Sequence, residues 1–423
     1  MRSKYKRLCD YIEIVNKRNK KLEVETLLGV SIKKMLMPSI ANTIGTDMST
    51  YKIIKRNQFA YGPVTSRNGD KISIAILDEY DKAIVSQAYT VFKIIDETEL
   101  NPEYLMMWFR RSEFDRYARF KSHGSARETF DWSELCETGL PIPSIEKQQE
   151  IVKEYNVVKN RITLNEQLNQ NLEKTAQALY KHWFVDFEFP ITKENHSKLV
   201  SGSKLIGYKS AGGKMVYNEE MDKEIPEGWG ICPFTEIVGI GGGGTPKTSV
   251  IEYWNGDIPF YTPGDLSNNY YVLSTVKHIS NAGLKKCSSK LYPVNTLFIT
   301  ARGATVGGIA IAGFPMAMNQ TCYAMTGTNI NNYFVHQLCL NLIEKLKSEA
   351  IGATFQALVT KDFNHTNVIS PNRNVIDLYG HKVKPLYKFI WKIANQTQRL
   401  KQFQNLLLSK MATIEDKMIP VYE

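Results

Sequence analysis

The chain has 423 residues, 43% of them hydrophobic and 23% charged, which is long enough for two or three domains that each bury a core. Its formal net charge of +10 favours a polyanionic partner such as nucleic acid, although a generally basic proteome would give the same balance. No apolar run reaches the roughly 18 residues of a membrane span, and no apolar core of a secretion signal follows the basic start, so we expect a cytoplasmic protein without a membrane partner. The six cysteines form no C-x-x-C pair, so we expect them to be reduced thiols.

Residues 1–143 predict a domain of mixed secondary structure. The β-branched runs LLGVSI, KISIAIL and AYTVFKII are interrupted by Gly, Pro and Asn, which is typical of short strands. One helix is predicted from Pro102 to Arg119, with Asn101 as its cap and Pro102 in its first turn.

A long helix is predicted next, in segment 144–189. It begins after Pro143 with Ser144 as N-cap and continues without Gly or Pro to about Phe184. Its apolar positions repeat with the narrow heptad seam of a coiled coil rather than the broad face of a globular-core helix. The seam positions are Ile151, Tyr155, Val158, Ile162, Asn165, Asn169, Leu172, Ala176, Leu179 and Trp183.

Residues 190–371 predict a second mixed domain, whose first part, residues 190–230, is rich in Gly, Ser and Lys. That part is predicted to be a connecting arm with a hairpin around residues 211–213. The stretch GIGGGGTPKT follows, from Gly239 to Thr248. A strand is predicted before its glycines, from Thr235 to Ile240.

A second long helix is predicted in residues 372–423, which carry a second heptad seam. Pro385 indicates that this helix is irregular or begins in earnest only there. The polar seam residues Asn169 and Thr397 could pair and fix the register of the two helices, but a frayed or wet seam is equally compatible with them. The seam positions are Tyr379, Val383, Leu386, Ile390, Ile393, Thr397, Leu400, Gln404, Leu407 and Met411.

The two halves of the chain are copies of one pattern. At an offset of 228 positions, GSARETFDWSELCETGLPIPS aligns with GATFQALVTKDFNHTNVISPN, and the helix positions that follow align without a gap. Upstream, the run from Arg67 to Ile76 parallels the run from Arg302 to Ile311. The fixed order of these matches indicates an ancient duplication.

The predicted fold class is therefore α+β. Two tandem mixed α/β domains are separated by two long helices. These helices form an antiparallel coiled coil, because the second helix must run back along the first. The first helix, of roughly 40 residues, would extend about 60 Å. The predicted arrangement is pseudo-two-fold symmetric and suits a reader of two half-sites on duplex DNA.

The glycine-rich stretch raises the alternative of a nucleotide-binding loop, since it satisfies G-x-G-x-x-G. Such a loop needs a helix N-terminus after the glycines, but turn and strand formers follow Pro246. The matching place in the first copy contains no glycine. We therefore predict a structural glycine turn, with a backbone NH nest against a DNA phosphate as the alternative.

Catalytic motifs are incomplete throughout the chain. Asn101-Pro-Glu-Tyr104 lacks the second proline of an adenine methyltransferase motif, and Glu415-Asp-Lys417 is only half of a nuclease motif. The seven histidines form no clustered ligand set, so no metal site is predicted. Asp186 and Glu188 are interpreted as a charged helix end rather than an acid/base pair.

Taken together, a set of short motifs resembles the specificity subunit of type I restriction-modification systems, over essentially the whole chain. These motifs are Gly243-Gly-Thr-Pro246, Glu252-Tyr253-Trp254, Ile258-Pro-Phe260, Ile225-Pro-Glu-Gly-Trp229, Thr300-Ala-Arg302-Gly303, Leu140-Pro-Ile-Pro143 before Glu146-Lys-Gln-Gln149, and Trp183-Phe-Val-Asp-Phe187. The first copy lacks the G-T-P loop, so the two copies are not expected to share one set of base contacts.

The resemblance implies that the chain is a non-catalytic subunit that binds double-stranded DNA. Each mixed domain would read one half of a bipartite target, and the helices would set the spacing and dock two modification subunits that methylate adenine at N6. Restriction subunits would add translocation and cleavage. The chain itself would hold no cofactor, with S-adenosylmethionine, ATP and Mg implied for its partners.

Polar side chains on the loops are the candidate DNA contacts, since a loop arginine can fork onto guanine or bind phosphate. Arg67 and Arg302 occupy equivalent places before a strand-like run, although a surface or salt-bridge role is equally compatible. The further candidates are Asn68, Lys71, Arg127, Lys247, Thr248, Asn268, Asn269 and Lys361. Two other classes remain open: a self-contained methyltransferase or nuclease, and a duplicated scaffold protein without a DNA role.

Overall fold

The computed structural model describes residues 5–39, 45–66, 68–69, 71–124, 128–191, 207–267, 269–349 and 357–413. The chain divides into two compact units, Met1–Ile162 with Arg399–Glu423, and Thr163–Gln398. Each long helix therefore contributes one segment to each unit. In the described residues no helix is both long and apolar enough to cross a bilayer. The sequence-based division at residues 143, 189 and 371 stays a prediction.

The first unit combines short strands with helices, as its mixed pattern predicts. The strands are β1 (Tyr5–Arg7), β2 (Ile12–Ile14), β3 (Leu27–Val30), β4 (Leu36–Pro38), β5 (Lys52–Lys55), β6 (Phe59–Gly62), β7 (Ser73–Ile76), β8 (Lys82–Val85), β9 (Thr90–Ile94) and β10 (Gly139–Pro141). The helices are α1 (Pro102–Arg110), α2 (Ser112–Phe120), α3 (Trp132–Cys136) and the start of α4 (Ile145–Tyr180).

The helix predicted from Pro102 to Arg119 is two helices. Arg111 separates α1 from α2 because its backbone is extended, with φ −69° and ψ 141°. The predicted cap is present: the Asn101 side chain accepts a hydrogen bond from the Tyr104 backbone N–H at 3.0 Å, with Pro102 in the first turn. This capping accounts for Asn-Pro at that place without an active-site role.

Three sheets build the first unit, in the orders β2-β9-β6-β7, β4-β3-β8-β5 and β1-β10. Stacked Phe59 and Phe92, with centroids 4.9 Å apart, lie between the first sheet and α1, where Phe109 packs edge-on against both rings. The short β1-β10 pair joins the beginning of the domain to its end.

The second unit repeats this plan. Its strands are β11 (Met215–Asn218), β12 (Lys223–Pro226), β13 (Gly230–Pro233), β14 (Val238–Gly242), β15 (Trp254–Tyr261), β16 (Tyr271–Val272), β17 (Lys277–Ile279), β18 (Leu297–Thr300), β19 (Ile309–Ala312), β20 (Ala317–Met318), β21 (Cys322–Gly327) and β22 (Asn367–Ser370). Its helices are α5 (Phe234–Ile237), α6 (Asn281–Lys285), α7 (Asn332–Glu349), α8 (Thr360–Asn364) and α9 (Arg373–Lys410), which ends in the first unit.

The strand orders confirm the duplication. The largest sheet of the second unit has the order β14-β21-β18-β19-β16, whose first four members correspond to β2-β9-β6-β7. The pair β13-β22 corresponds to β1-β10, and β22 falls at the offset of 228 from β10. The second sheet of each unit also contains a parallel strand pair, which is β3 with β8 in the first unit and β15 with β20 in the second. The predicted α+β class with two mixed domains is confirmed.

Two further details of the sequence-based prediction are wrong. The hairpin of the connecting arm lies in β11 and β12, so its turn spans residues 219–222 rather than residues 211–213. Residues 192–206 of the arm lie outside the described residues. The second long helix begins at Arg373, well before Pro385, and continues through that proline. Pro385 removes one backbone hydrogen-bond donor but does not end the helix, because the packed helical segments on both sides of the proline stabilise it.

Candidate functional site

The helix seam of the second unit contains one polar layer. Asn165 of α4 donates from Nδ2 to Thr397 Oγ1 at 3.2 Å and to Gln396 Oε1 at 3.0 Å on α9. Toward the other end of the unit, the Tyr379 hydroxyl donates to the Ala176 carbonyl at 3.4 Å. The residues of α9 that contact α4 decrease in number as the residue numbers along α4 increase, so the two helices run antiparallel.

The partner of Thr397 is therefore Asn165. The pairing of Thr397 with Asn169 that the sequence suggested is wrong. Asn169 is 2% exposed, and its Oδ1 has no hydrogen-bond partner among the described residues. A buried polar pair in an apolar seam costs stability but penalises shifted registers, which would leave its members unpaired. The Asn165–Thr397 layer therefore fixes the register of the two helices.

In the first unit the same two helices pack on the mixed domain. Val152 and Tyr155 of α4 share a buried cluster with Leu408 of α9 and with Met411 beyond its end. The predicted cap of α4 is present, since Ser144 Oγ accepts from the Lys147 backbone N–H at 3.4 Å. This cap and this cluster fix the point at which the first long helix leaves its domain.

The predicted seam residues are all covered to some degree. The buried ones are Tyr155, Val158, Ile162, Asn169, Ile390 and Ile393, and the half-buried ones are Ile151, Leu172, Leu179, Leu386, Leu400 and Leu407. Tyr387 and Leu408 are buried beside the half-buried Leu386 and Leu407. The buried positions are thus shifted by one residue from the predicted ones. This shift arises because a straight helix has 3.6 residues per turn, whereas a strict heptad pattern repeats every 3.5 residues. A role of these residues in subunit contacts stays a prediction.

The glycine-rich stretch is an edge strand and not a turn. The strand begins at Val238 and its partner is β21, with Gly239 opposite Thr326 and Gly242 opposite Tyr323. None of the glycines between Gly239 and Gly244 has a positive φ. The predicted glycine turn is therefore wrong, and an NH nest, which needs alternating backbone handedness, loses its basis here.

Close packing explains the glycines instead. A Cβ on Gly241 would lie 2.4 Å from the Tyr292 hydroxyl, and a Cβ on Gly243 would lie 1.9 Å from the Asn319 carbonyl oxygen. A Cβ on Gly244 would lie 2.1 Å from Ser288 Oγ. Neighbouring groups thus fill the space that side chains at these three positions would need.

Hydrogen bonds gather three candidate segments at one edge of the second unit. The Leu358 backbone N–H donates to the Ala301 carbonyl at 2.8 Å, and the Ala301 N–H donates to the Thr321 carbonyl at 2.8 Å. Thr245 bonds to Gln320 through their side chains. The segments that carry Lys247, Arg302 and Lys361 are therefore neighbours.

The candidate side chains on these three segments face solvent. Lys247, Thr248, Arg302 and Lys361 are exposed, and Gly303 beside Arg302 has a φ of +99°. Arg302 makes no ion pair with any residue that the structure describes. Asn269 is half-buried and lies next to Tyr270, whose hydroxyl donates to the Glu173 carbonyl of α4 at 3.4 Å. The role of all five as DNA contacts stays a prediction.

In the first unit, Asn68 and Lys71 belong to a turn that follows β6. The Asn68 side chain donates to the Val64 carbonyl at 3.1 Å, so it stabilises the turn itself. Lys71 is exposed. Their role as DNA contacts also stays a prediction, and the candidates Arg67, Arg127 and Asn268 lie outside the described residues.

A partly buried polar network joins the mixed domain of the second unit to both long helices, and sequence patterns gave no signal for it. Gln177 of α4 donates to the Tyr270 hydroxyl at 2.9 Å, and Glu173 accepts from the Tyr270 backbone N–H at 3.1 Å. On the α9 side, His336 Nδ1 and the Tyr387 hydroxyl are 2.6 Å apart. Burial lowers the pKa of His336 to about 3, so the ring is neutral at physiological pH.

Glu173 makes this network sensitive to pH. Burial raises its pKa to about 7, against a smaller opposing effect of the Tyr270 hydrogen bond. A raised carboxyl pKa contributes stability that is complete below the unfolded value of about 4.5 and is lost as the pH rises through about 7. We expect Glu173→Gln to flatten the fall of melting temperature between pH 5 and about pH 8. Glu236→Gln, at an exposed carboxyl of the same unit, should leave the wild-type slope, and equal slopes in all three proteins would contradict the assignment.

The acidic and thiol groups that the sequence singles out make structural contacts where the structure describes them. The described residues form no cluster of three or more His, Cys, Asp or Glu that could hold a metal. Asp186 pairs with Lys181 at 2.7 Å, and Glu188 accepts from the Ser210 hydroxyl at 2.9 Å, so both carboxylates have structural partners just beyond the end of α4. All six cysteines are free thiols. Glu415 and Lys417 lie outside the described residues.

Comparison with known proteins gives consistent results. The family model described as the type I restriction modification DNA specificity domain matches residues 3–174 and 226–402. The chain is 27% identical over 322 residues to the type I restriction enzyme MjaIX specificity subunit of Methanocaldococcus jannaschii, covering 75% of this chain and 70% of that protein. It is 25% identical to the HindI specificity subunit of Haemophilus influenzae, covering 89% of this chain and 90% of that protein.

One solved structure shares the fold. The crystal structure of the type I restriction-modification system S subunit from M. genitalium superposes with a TM-score of 0.54 and 14% sequence identity. The superposition covers 97% of this chain and 96% of that one. Both copies of the duplicated plan therefore have counterparts in that structure.

Proposed function

Since the chain belongs to the family of type I restriction-modification DNA specificity subunits and recognises DNA sequence, we propose that each of its two units reads one half of a bipartite target on duplex DNA. The observation that carries this proposal is the repeated strand order, β2-β9-β6-β7 and β14-β21-β18-β19. Two similar readers in one chain suit a target with two separate parts.

The long helices are proposed to set the spacing of the two half-sites and to dock two modification subunits. Fixed spacing needs a fixed register, which the Asn165–Thr397 layer supports. Exposed apolar side chains on the outer faces of both helices support docking. These are Val157, Leu164 and Leu168 on α4 and Phe389, Phe403 and Leu406 on α9.

Chemistry is proposed to reside in the partner subunits. The modification subunits would bind S-adenosylmethionine and methylate adenine at N6, and restriction subunits would use ATP and Mg for translocation and cleavage. The chain would hold none of these cofactors, work in the cytoplasm and have no membrane partner.

The test is to express the chain with its modification subunit in a host and map methylated adenines in the host DNA. The expected result is methylation at one split motif with a constant spacer. The chain alone should give no methylation. Methylation by the chain alone would favour a self-contained enzyme, and no split motif with an active modification subunit would contradict the proposal.

Arg302 is the candidate DNA contact with the clearest expectation. Arg302→Ala should weaken binding of the complex to its target duplex about tenfold, as loss of roughly 1–3 kcal/mol predicts. If the contact is to phosphate, the slope of log affinity against log salt should fall by about 1 instead. Lys286→Ala, at an exposed lysine of the same unit, is the matched control for charge. Equal titration curves for the two variants would contradict the assignment.

A further inference from the structure

The hairpin formed by β3 and β4 in the first unit, residues 27–39, has an inner and an outer face. Leu28, Val30 and Leu36 on the inner face pack into a buried cluster. On the outside, Met35 is 54% exposed and Met37 is 48% exposed, and Ile32 in the connecting turn is 44% exposed. β4 is also the edge strand of its sheet. Several large apolar side chains gathered on one exposed edge are typical of an interaction surface.

A buried lysine holds this hairpin in place. Lys34 is 5% exposed, and its Nζ lies 2.7 Å from Asp115 Oδ1 on α2. The same Nζ donates to the Phe109 carbonyl at the end of α1 and lies 5.6 Å from the centre of the Phe114 ring. The ion pair and the carbonyl bond offset the cost of burying an ammonium. The hairpin is thereby tied to two helices.

The backbone at Lys34 is also specialised. Its φ of +61° is the left-handed conformation that glycine usually supplies. The turn is closed by hydrogen bonds from the Lys34 N–H to the Ser31 carbonyl and from the Ser31 N–H to the Met35 carbonyl, both at 2.9 Å. A lysine in this position gives up backbone freedom so that its side chain can reach Asp115.

The charge of the hairpin indicates the kind of partner. Residues 27–39 contain two lysines and no acidic residue. Lys33 is exposed, and Lys71 lies close enough for its charge to depress the pKa of Lys34, which burial already lowers. The only carboxylate near the turn that the structure shows in contact, Asp115, is engaged by Lys34. A positive, acid-free surface with apolar side chains suits a polyanion that also offers apolar contacts.

We propose that the outer face of the hairpin, formed by Ile32, Lys33, Met35 and Met37, contacts the half of the duplex that the first unit reads. Lys33 and Lys71 bind backbone phosphates, which position the hairpin on the duplex. The three apolar side chains contact base edges in a groove, where thymine methyl groups and flexible base steps accept such contacts. This inference rests on the proposed DNA-reading function and names the surface through which the first unit performs it.

The test compares three serine substitutions made together, Ile32→Ser, Met35→Ser and Met37→Ser, with Ile14→Ser and Ile95→Ser made together. The control pair is equally exposed, at 51% and 54%, in the same unit. Each protein is co-purified with its modification subunit, and affinity is measured for a duplex with the mapped target and for a scrambled duplex. The hairpin variant should bind the target at least tenfold more weakly and the scrambled duplex nearly as well as wild type. Its melting temperature should match that of the control.

Each other outcome has a definite meaning. Target affinity equal to the control would overturn the inference. Loss of the modification subunit without a change in DNA affinity would show that the face docks protein, and would overturn it as well. Lys33→Gln should weaken binding to both duplexes alike and reduce the slope of log affinity against log salt by about 1. Lys153→Gln, at an exposed lysine of α4, should do neither. If the wild-type complex binds the target and the scrambled duplex equally well, the proposed function itself fails. If the wild type discriminates and only the hairpin variant does not, the proposed function stands and the inference is supported.

The role of Lys34 as a positioning residue is tested separately. Lys34→Met with Asp115→Asn removes both charges and leaves neither one unpaired in the interior. Amide hydrogen exchange in residues 27–38 should become faster, while exchange in β6 and β9 stays slow. Discrimination between target and scrambled duplex should fall by several-fold. Unchanged discrimination with a loosened hairpin would contradict a positioning role.

Discussion

Replacement of Gly243 by alanine is expected to destabilise the second unit by about 3 kcal/mol, within the range of overpacked sites. The new Cβ would lie 1.9 Å from the carbonyl oxygen of Asn319 and 2.7 Å from that of Met318. Both are backbone atoms, which cannot rotate away as a flexible side chain would. Either the edge strand or the segment around Asn319 must move. For a domain of this size, the melting temperature should fall by roughly 10 °C.

The neighbouring residue provides a matched control. A Cβ on Gly242 meets nothing within 4 Å, and its φ is not positive. Gly242→Ala should therefore be neutral or stabilise the unit by up to about 0.5 kcal/mol, because alanine has less freedom in the unfolded chain. Thermal unfolding followed by circular dichroism measures both. Similar melting temperatures for the two variants would show that close packing does not explain the glycines.

Exchange of residues 1–143 for those of a relative with another target is expected to change one half of the methylated motif completely and leave the other half intact. The first unit keeps its own core, from stacked Phe59 and Phe92 to Phe109 on α1. The junction after Pro143 preserves strand β10 and the Ser144 cap of α4. The spacer should stay constant because no residue of either long helix is replaced.

Methylation mapping of the host DNA checks this expectation. The reciprocal exchange, of residues 230–371, is the control and should change the other half of the motif. A hybrid that methylates the unchanged parental motif would show that the first unit does not read sequence. A hybrid in which both halves change would show that the two units do not read independently.

Local and periodic features of the fold were predictable from the sequence. The cap residues Asn101 and Ser144 and the seam of α4 follow from short-range rules, and the structure contains them. The duplication was visible because the matching residue runs occur in the same order in both copies. The proline at Pro385 misled because a tightly packed helix tolerates one missing hydrogen bond.

Features that depend on distant partners could not be predicted. The glycines suggested a turn because a sequence shows backbone freedom but not the neighbour that fills the space, such as Asn319 opposite Gly243. Lys34 looked like any surface lysine, since its partner Asp115 follows 81 positions later. Half of the candidate DNA contacts on the first unit, Arg67 and Arg127, lie outside the described residues and stay predictions.

The paired strands at the base of each domain bear on how such chains evolve. Tyr5–Arg7 lies beside Gly139–Pro141, and Gly230–Pro233 lies beside Asn367–Ser370, so each domain begins and ends at one place. A domain with adjacent ends is in effect an insertion into a helical frame, and the frame need not change when the insertion does. If each domain reads one half of the target, as proposed, recombination between two genes of the family needs crossovers only at these strands to create a new specificity. The host cell would then acquire an unfamiliar target in one genetic event, whereas point mutation would have to rebuild many contacts at once.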